Sequence, residues 1–158
     1  MTEAIKLSDY LNESLVFTQK HYSSNKELFT EVSTVAFEKG YVREDFLERV
    51  QRREETFPTG IQLENFGVAI PHTDAECVHK EFVAVITNTE PVEFKSMEDL
   101  SQTVAANIVF VLGLNQPHAQ LEMLQSLMGL LQNPDLLAQL LAAETTEQLL
   151  TIVKNNNL

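Results

Sequence analysis

The sequence predicts an α/β fold, a mixed central β-sheet sandwiched between α-helices on both faces, and three observations carry that expectation. Apolar runs at 66–70 (FGVAI), 82–87 (FVAVIT) and 107–114 (NIVFVLGL) are short and rich in β-branched residues, as in strands covered on both sides. Helical periodicity fills the chain before and after them. With 158 residues and 44% apolar content, the chain can bury one continuous core and reads as a single domain over 1–158.

Taken in order, LVFT at 15–18 reads as a first short strand. Ser24 with Glu27 three positions on is a capping-box signature that opens a helix, whose Leu28, Val32, Val35 and Ala36 form one stripe and which stops near Gly40. REDFLERVQRREET at 43–56 reads as a second helix with Phe46, Leu47 and Val50 inward. FPTGIQLENFG at 57–67 combines a proline with two glycines and reads as a turn-rich loop before the three apolar runs. From His118 the pattern is helical to the end. Leu121, Leu124, Leu127, Met128 and Leu131 form a core-facing stripe, Pro134 starts a second helix, and TTEQLLTIVKNN at 145–156 forms a last one. No internal repeat or low-complexity linker interrupts this order.

Charge narrows the function. A formal net charge of -12 argues against nucleic acid as a partner, because neutralising phosphates requires a basic face and the count runs the other way. No apolar run approaches the ~20 residues of a membrane span. The N-terminus MTEAIKLSDYLNESLVF has acidic residues where an export signal needs a basic flank, and the lone Cys77 suits a reducing cytoplasm. All four arginines fall between Arg43 and Arg53, alternating with Glu44, Asp45 and Glu48 as a solvated helix face would.

GVAIPHTD at 67–74 ends an apolar strand in Pro71 and presents His72 just beyond it. Proline fixes the backbone before the imidazole and withholds an N–H from the sheet ladder, so the side chain leaves the sheet edge in a defined direction. His118 occupies a matching place, where the loop LNQP joins a buried strand to a helix, and such ends converge on the crevice where α/β proteins bind ligands. Three chemistries compete. A metal site could draw on His72, Asp74, His79 and His118, although HTDAECVH lacks the spacing of zinc signatures. A thiol nucleophile would be Cys77 paired with His79, if a turn joins them. In the third, His72 is itself the nucleophile toward phosphorus, since imidazole is neutral and nucleophilic near pH 7, with His118 and Arg53 supporting the transferring oxygens.

RREETFPTG, GVAIPHTD and LNQPHAQLEMLQSLMGLLQN, in that order, resemble the enzyme IIA domains of the fructose–mannitol type in the phosphoenolpyruvate-dependent sugar phosphotransferase system. The resemblance implies that His72 accepts a phosphoryl group from the phosphohistidine of the carrier protein HPr. It further implies that His72 gives this group to a cysteine of a cognate IIB component, which serves a membrane IIC permease. It maps the second active-site histidine to His118 and the active-site arginine to Arg53, which stands with Glu54 before PTG; adjacent Arg52 is the alternative. It implies a cytoplasmic protein needing no metal or cofactor for its own transfer step. Arg43 and Arg49, further along the helix, are expected to tolerate alanine.

The stretch between PTG and GVAIPH is longer than in fructose-type members, and PHTD followed by VHK looks more like the galactitol-specific branch. Relatives that act only as regulatory modules, sensed through their phosphorylation state, share the same histidine signature and supply the alternative function. The site's need to stay open to partners suggests a monomer.

Overall fold

A computed structural model describes residues 6–158. Its centre is a five-stranded mixed sheet of β1 (Val16–Lys20), β2 (Gly60–Gln62), β3 (Gly67–Ala69), β4 (Phe82–Lys95) and β5 (Thr103–Gly113), in the order β1-β4-β5-β3-β2. β1 runs parallel to β4 and β3 parallel to β5, whereas β4–β5 and β2–β3 are antiparallel. Helices α1 (Asn25–Glu38) and α2 (Phe46–Thr56) precede β2, and α3 (Pro117–Leu131), α4 (Pro134–Ala142) and α5 (Thr146–Asn155) follow β5. The architecture is the expected helix–sheet–helix sandwich.

Period-two alternation divides the strands between two cores. Val68, Val83, Val85, Ile108, Phe110 and Leu112 pack with leucines of α3, α4 and α5. Ala69, Phe82, Ala84, Ile86, Val109 and Val111 pack with Leu28, Phe29 and Val32 of α1 and Phe46 and Val50 of α2. Each large side chain removed from water in this way is worth about 1.5–3 kcal/mol. Burial on both faces is why these strands read as unbroken apolar runs.

Local signals explain the helix ends. Ser24 accepts a hydrogen bond from the Glu27 N–H at 3.2 Å, as the capping motif predicts, while the Glu27 carboxylate takes its bond from Ser23 Oγ. Asn133 caps α4 and Thr145 caps α5 through their side chains.

Three expectations change. β4 and β5 reach well beyond the apolar runs, because Val92, Phe94 and Val104 alternate with exposed residues in a hairpin extension past an irregularity between Thr87 and Val92. That alternating stretch buries only one face and so lacks the continuous apolar signal. The loop at 57–67 contains β2 and the antiparallel β2–β3 hairpin. On α3, Leu121 and Met128 are exposed, and the buried stripe is Ala119, Met123, Leu127, Leu130 and Leu131, rotated from the leucines read as core.

Gly67 lets β3 lie close to β5: a Cβ there would come within 1.9 Å of the Ala105 carbonyl oxygen. Parallel pairing of β3 with β5 brings their C-terminal ends to one edge of the sheet, the edge from which His72 and α3 depart.

Candidate functional site

His72 continues the β3 line as a single parallel bridge to Leu112, with the Leu112 N–H bonded to the Pro71 carbonyl at 2.8 Å. Pro71 leaves no N–H to satisfy at the point where the ladder ends. The ring turns back so that Nδ1 lies 3.1 Å from the Ile70 carbonyl oxygen. A carbonyl only accepts, so Nδ1 is the protonated nitrogen and the neutral ring keeps its lone pair on Nε2. Burial holds the His72 pKa below its ordinary value, the positive charge of Arg53 lowers it further, and the Ile70 hydrogen bond works in the opposite direction. The imidazole is therefore neutral at physiological pH.

Arg53, in the last turn of α2, is the arginine whose charge acts on His72. Its guanidinium carbon sits 5.2 Å from the centre of the Phe57 ring, and its buried Nε has no partner in the described structure. Adjacent Arg52 points to solvent and pairs with Glu48. Asp74 would compete for Arg53, but Arg49 holds its carboxylate at 2.9 Å and leaves Arg53 at 4.0 Å. Arg49 also binds Asp45 at 2.8 Å and Glu76 at 2.8 Å. It is thus the clamp between α2 and the turn after His72, so the sequence expectation that it tolerates alanine as readily as Arg43 does not follow from its surroundings. Arg53 and the buried Thr73, whose hydroxyl also has no partner, share a groove of about 410 Å³.

His118 is exposed at the second position of α3, on the same sheet edge as His72. The loop before it is held by Glu81, which accepts from the Asn115 N–H at 3.0 Å and the Gln116 N–H at 3.3 Å. His118 makes no hydrogen bond or ion pair among the described residues and lies outside the groove that His72 lines. Also among the described residues, no three His, Cys, Asp or Glu side chains converge as a metal set, so the alternative grouping of His72, Asp74, His79 and His118 is not assembled. Cys77 is fully buried, its thiol donating to the Asp74 carbonyl, and burial first and Asp45 second push its pKa up to about 11. A thiol so placed is inert, which removes the Cys77–His79 alternative.

Two features escaped sequence reasoning. The first is the apolar rim of the groove that His72 lines, about 430 Å³ in volume. Phe57, Met97 and Leu100 stand there 61%, 47% and 55% exposed. Met97 and Leu100 come from the β4–β5 turn, more than twenty residues downstream of His72, and only the hairpin brings them near. The second is the pair Glu54 and Thr59. Glu54 is buried and accepts from the Thr59 N–H at 2.8 Å and the Thr59 hydroxyl at 2.9 Å. RREETFPTG contains both residues, yet nothing in the spacing says that this glutamate turns inward.

Burial pushes the Glu54 carboxyl from 4.5 up to about 7, against the two Thr59 hydrogen bonds that pull it down. Stability should therefore fall as pH rises from 4.5 to about 7, because over that window the unfolded chain has released a proton that the folded chain still holds. Below the window both states are protonated, and above it the loss is complete, at about 3 kcal/mol. Urea midpoints measured across this range should show the decline in the parent and a flatter profile in Glu54→Gln. Lys26, Lys95 and Glu55, which line the cavity beside Glu54, are the same in both proteins, so the difference between the profiles isolates Glu54. Parallel profiles would assign the pH dependence elsewhere.

The fold is thus an α/β sandwich that presents a neutral histidine at its sheet edge, with one ring nitrogen bonded to a backbone carbonyl. The chain belongs to the phosphoenolpyruvate-dependent sugar phosphotransferase system EIIA 2 family, which matches residues 9–156, and it is a phosphotransferase component of that system. The galactitol-specific EIIA component of Escherichia coli (strain K12) is 31% identical to it over 126 residues, covering 80% of this chain and 83% of that protein. Among solved structures, the PTS IIA PtxA of Streptococcus mutans matches 97% of this chain and 96% of its own with a TM-score of 0.78 at 18% identity. The mannitol IIA of Escherichia coli, solved in complex with phosphorylated IIB, matches 92% and 97% with a TM-score of 0.73 at 21% identity. These two structures share the fold. No helix among the described residues is long and apolar enough to cross a membrane.

Proposed function

We propose that His72 takes a phosphoryl group onto Nε2 from the phosphohistidine of HPr and passes it to a cysteine of a cognate IIB component, in the uptake and phosphorylation of galactitol. One observation carries this reading: the ring is neutral and tied down through Nδ1, while the groove it lines has an exposed apolar rim of Phe57, Met97 and Leu100. Such a patch around a reactive group suits docking by other proteins. Donor and acceptor would then reach the same nitrogen in turn. Arg53 supplies the positive charge for the transferring oxygens, and His118, on the same edge, supplies a further donor once a partner is docked.

The galactitol assignment draws on the relative that is 31% identical, and the IIB partner on the family and on the mannitol IIA–IIB complex. The IIC permease is served only indirectly. The reading also places residues 1–158 in one domain working in the cytoplasm. Incubation with phosphoenolpyruvate, enzyme I, HPr and a galactitol IIB should move label through this chain to a IIB cysteine, and a chelator should not slow it. Label that stops on the chain with every IIB offered would favour the regulatory alternative.

A further inference from the structure

Thr59 is 2% exposed and lies between the buried Glu54 carboxylate and the backbone of Ile70. The direction of each hydrogen bond follows from its partners. Once ionised, as pH rises through about 7, the Glu54 carboxylate only accepts, so the Thr59 hydroxyl then gives its one proton to Oε1 at 2.9 Å while the Thr59 N–H goes to Oε2 at 2.8 Å. With its proton committed, Thr59 Oγ1 can only accept, and it takes the Ile70 N–H at 3.2 Å, shared with the Thr59 carbonyl at 3.4 Å. Ile70 is also the residue whose carbonyl receives His72 Nδ1–H at 3.1 Å. On the far side, the Pro71 carbonyl is held by the Leu112 N–H at 2.8 Å. The two residues before the imidazole are thus gripped from α2 on one side and from β5 on the other.

We propose that Glu54 and Thr59 are positioning residues for phosphoryl transfer: they fix Ile70 so that its carbonyl selects the Nδ1–H tautomer of His72 and keeps the lone pair on Nε2. This rests on the reading of His72 as the phosphoryl acceptor. In that step the Nε2 lone pair forms the N–P bond while the donor's P–N bond breaks, its electron pair returning to the donor imidazole. His72 becomes a phosphoryl-imidazolium that still carries its Nδ1 proton. The Ile70 carbonyl therefore faces more positive charge after transfer than before, and a carbonyl held in place beforehand favours the developing charge without reorganising. If Ile70 drifts, the proton is free to move to Nε2 and block the nucleophile.

The test compares Thr59→Val, which keeps the shape and removes the hydroxyl, with Thr59→Ser, which restores it, and with Glu54→Gln. Long-range ¹H–¹⁵N correlation spectra of the unphosphorylated proteins report the His72 tautomer directly. The parent and Thr59→Ser should show Nδ1–H alone, and Thr59→Val a mixture with Nε2–H. Phosphorylation by phospho-HPr should slow in Thr59→Val by a factor on the order of 10², the usual cost of a misaligned reacting group, and recover in Thr59→Ser. A folded Thr59→Val with the parent's tautomer and rate overturns the proposal. Should Thr59→Val not fold, Glu54→Gln carries the test, and a parent-like tautomer there overturns it equally. A parent protein that takes no label at His72 defeats the phosphocarrier reading instead, while the tautomer spectra still decide whether Glu54 and Thr59 set the ring.

Discussion

His72→Gln stays folded and takes up no phosphate from phospho-HPr. Glutamine retains an amide N–H for the Ile70 carbonyl that His72 Nδ1 now meets at 3.1 Å, so the local backbone keeps its anchor, but it has no nucleophilic nitrogen. The expected effect is a complete loss of label, with the parent's linkage lost in acid and kept in base, as a phosphoramidate requires. His118→Ala should behave differently. His118 is exposed and unpaired among the described residues, so its proposed role is to donate to the phosphoryl group during transfer. Labelling should persist at a rate lower by a factor on the order of 10²–10³, the cost of one such donor. Full labelling of His72→Gln would place the phosphoryl group on another residue, and an unchanged rate in His118→Ala would remove that side chain from the step.

Arg53→Ala should slow phosphorylation of His72 by a comparable factor on the order of 10² while leaving the thermal melt close to the parent's. Its partly exposed side chain makes one distant ion pair, with Asp74 at 4.0 Å, and such contacts contribute little to stability. Its charge, by contrast, acts on the His72 ring that takes the phosphoryl group in the proposed reaction. An NMR titration offers an independent readout: losing the cation should raise the His72 midpoint, and burial, the larger cause, should still hold it below 6.5. Arg52→Ala and Arg43→Ala should transfer at the parent rate. Arg49→Ala should lower the melt, because it releases Asp45, Asp74 and Glu76 together, and free Asp74 to pair with Arg53. If Arg52→Ala is defective and Arg53→Ala is not, the active-site arginine is one residue earlier than proposed.

The legible parts of the fold are those with a local cause. Ser24 was identifiable as a cap because the motif satisfies helix N–H groups within one turn, and the runs at 82–87 and 107–114 were identifiable as strands because both faces are buried. The hairpin extension through Val92, Phe94 and Val104 was missed because its alternation is shared between two strands that meet only through the turn. The α3 stripe was misread because leucine at helical spacing marks a face without saying which face meets the sheet. Leu121 shows the limit, since it stands exposed two residues before the buried Met123, on nearly the opposite face of the helix.

By itself the sequence determined the class of fold, the strand end that presents His72 and the confinement of every arginine to one short segment. These follow from residue order: apolar runs set the strands, Pro71 ends the ladder, and all four arginines fall within eleven positions. Tertiary structure alone decided that Arg52 turns to Glu48 while the charge of Arg53 reaches His72, that Arg49 diverts Asp74, and that Cys77 is sealed in the core. It also decided that a buried glutamate bonds Thr59, that Thr59 bonds the Ile70 N–H, and that the Ile70 carbonyl meets His72 Nδ1. The reason is physical: burial and charge shift a pKa through distances across elements, and those distances exist only after α2, the β2–β3 hairpin and β5 have packed against one another.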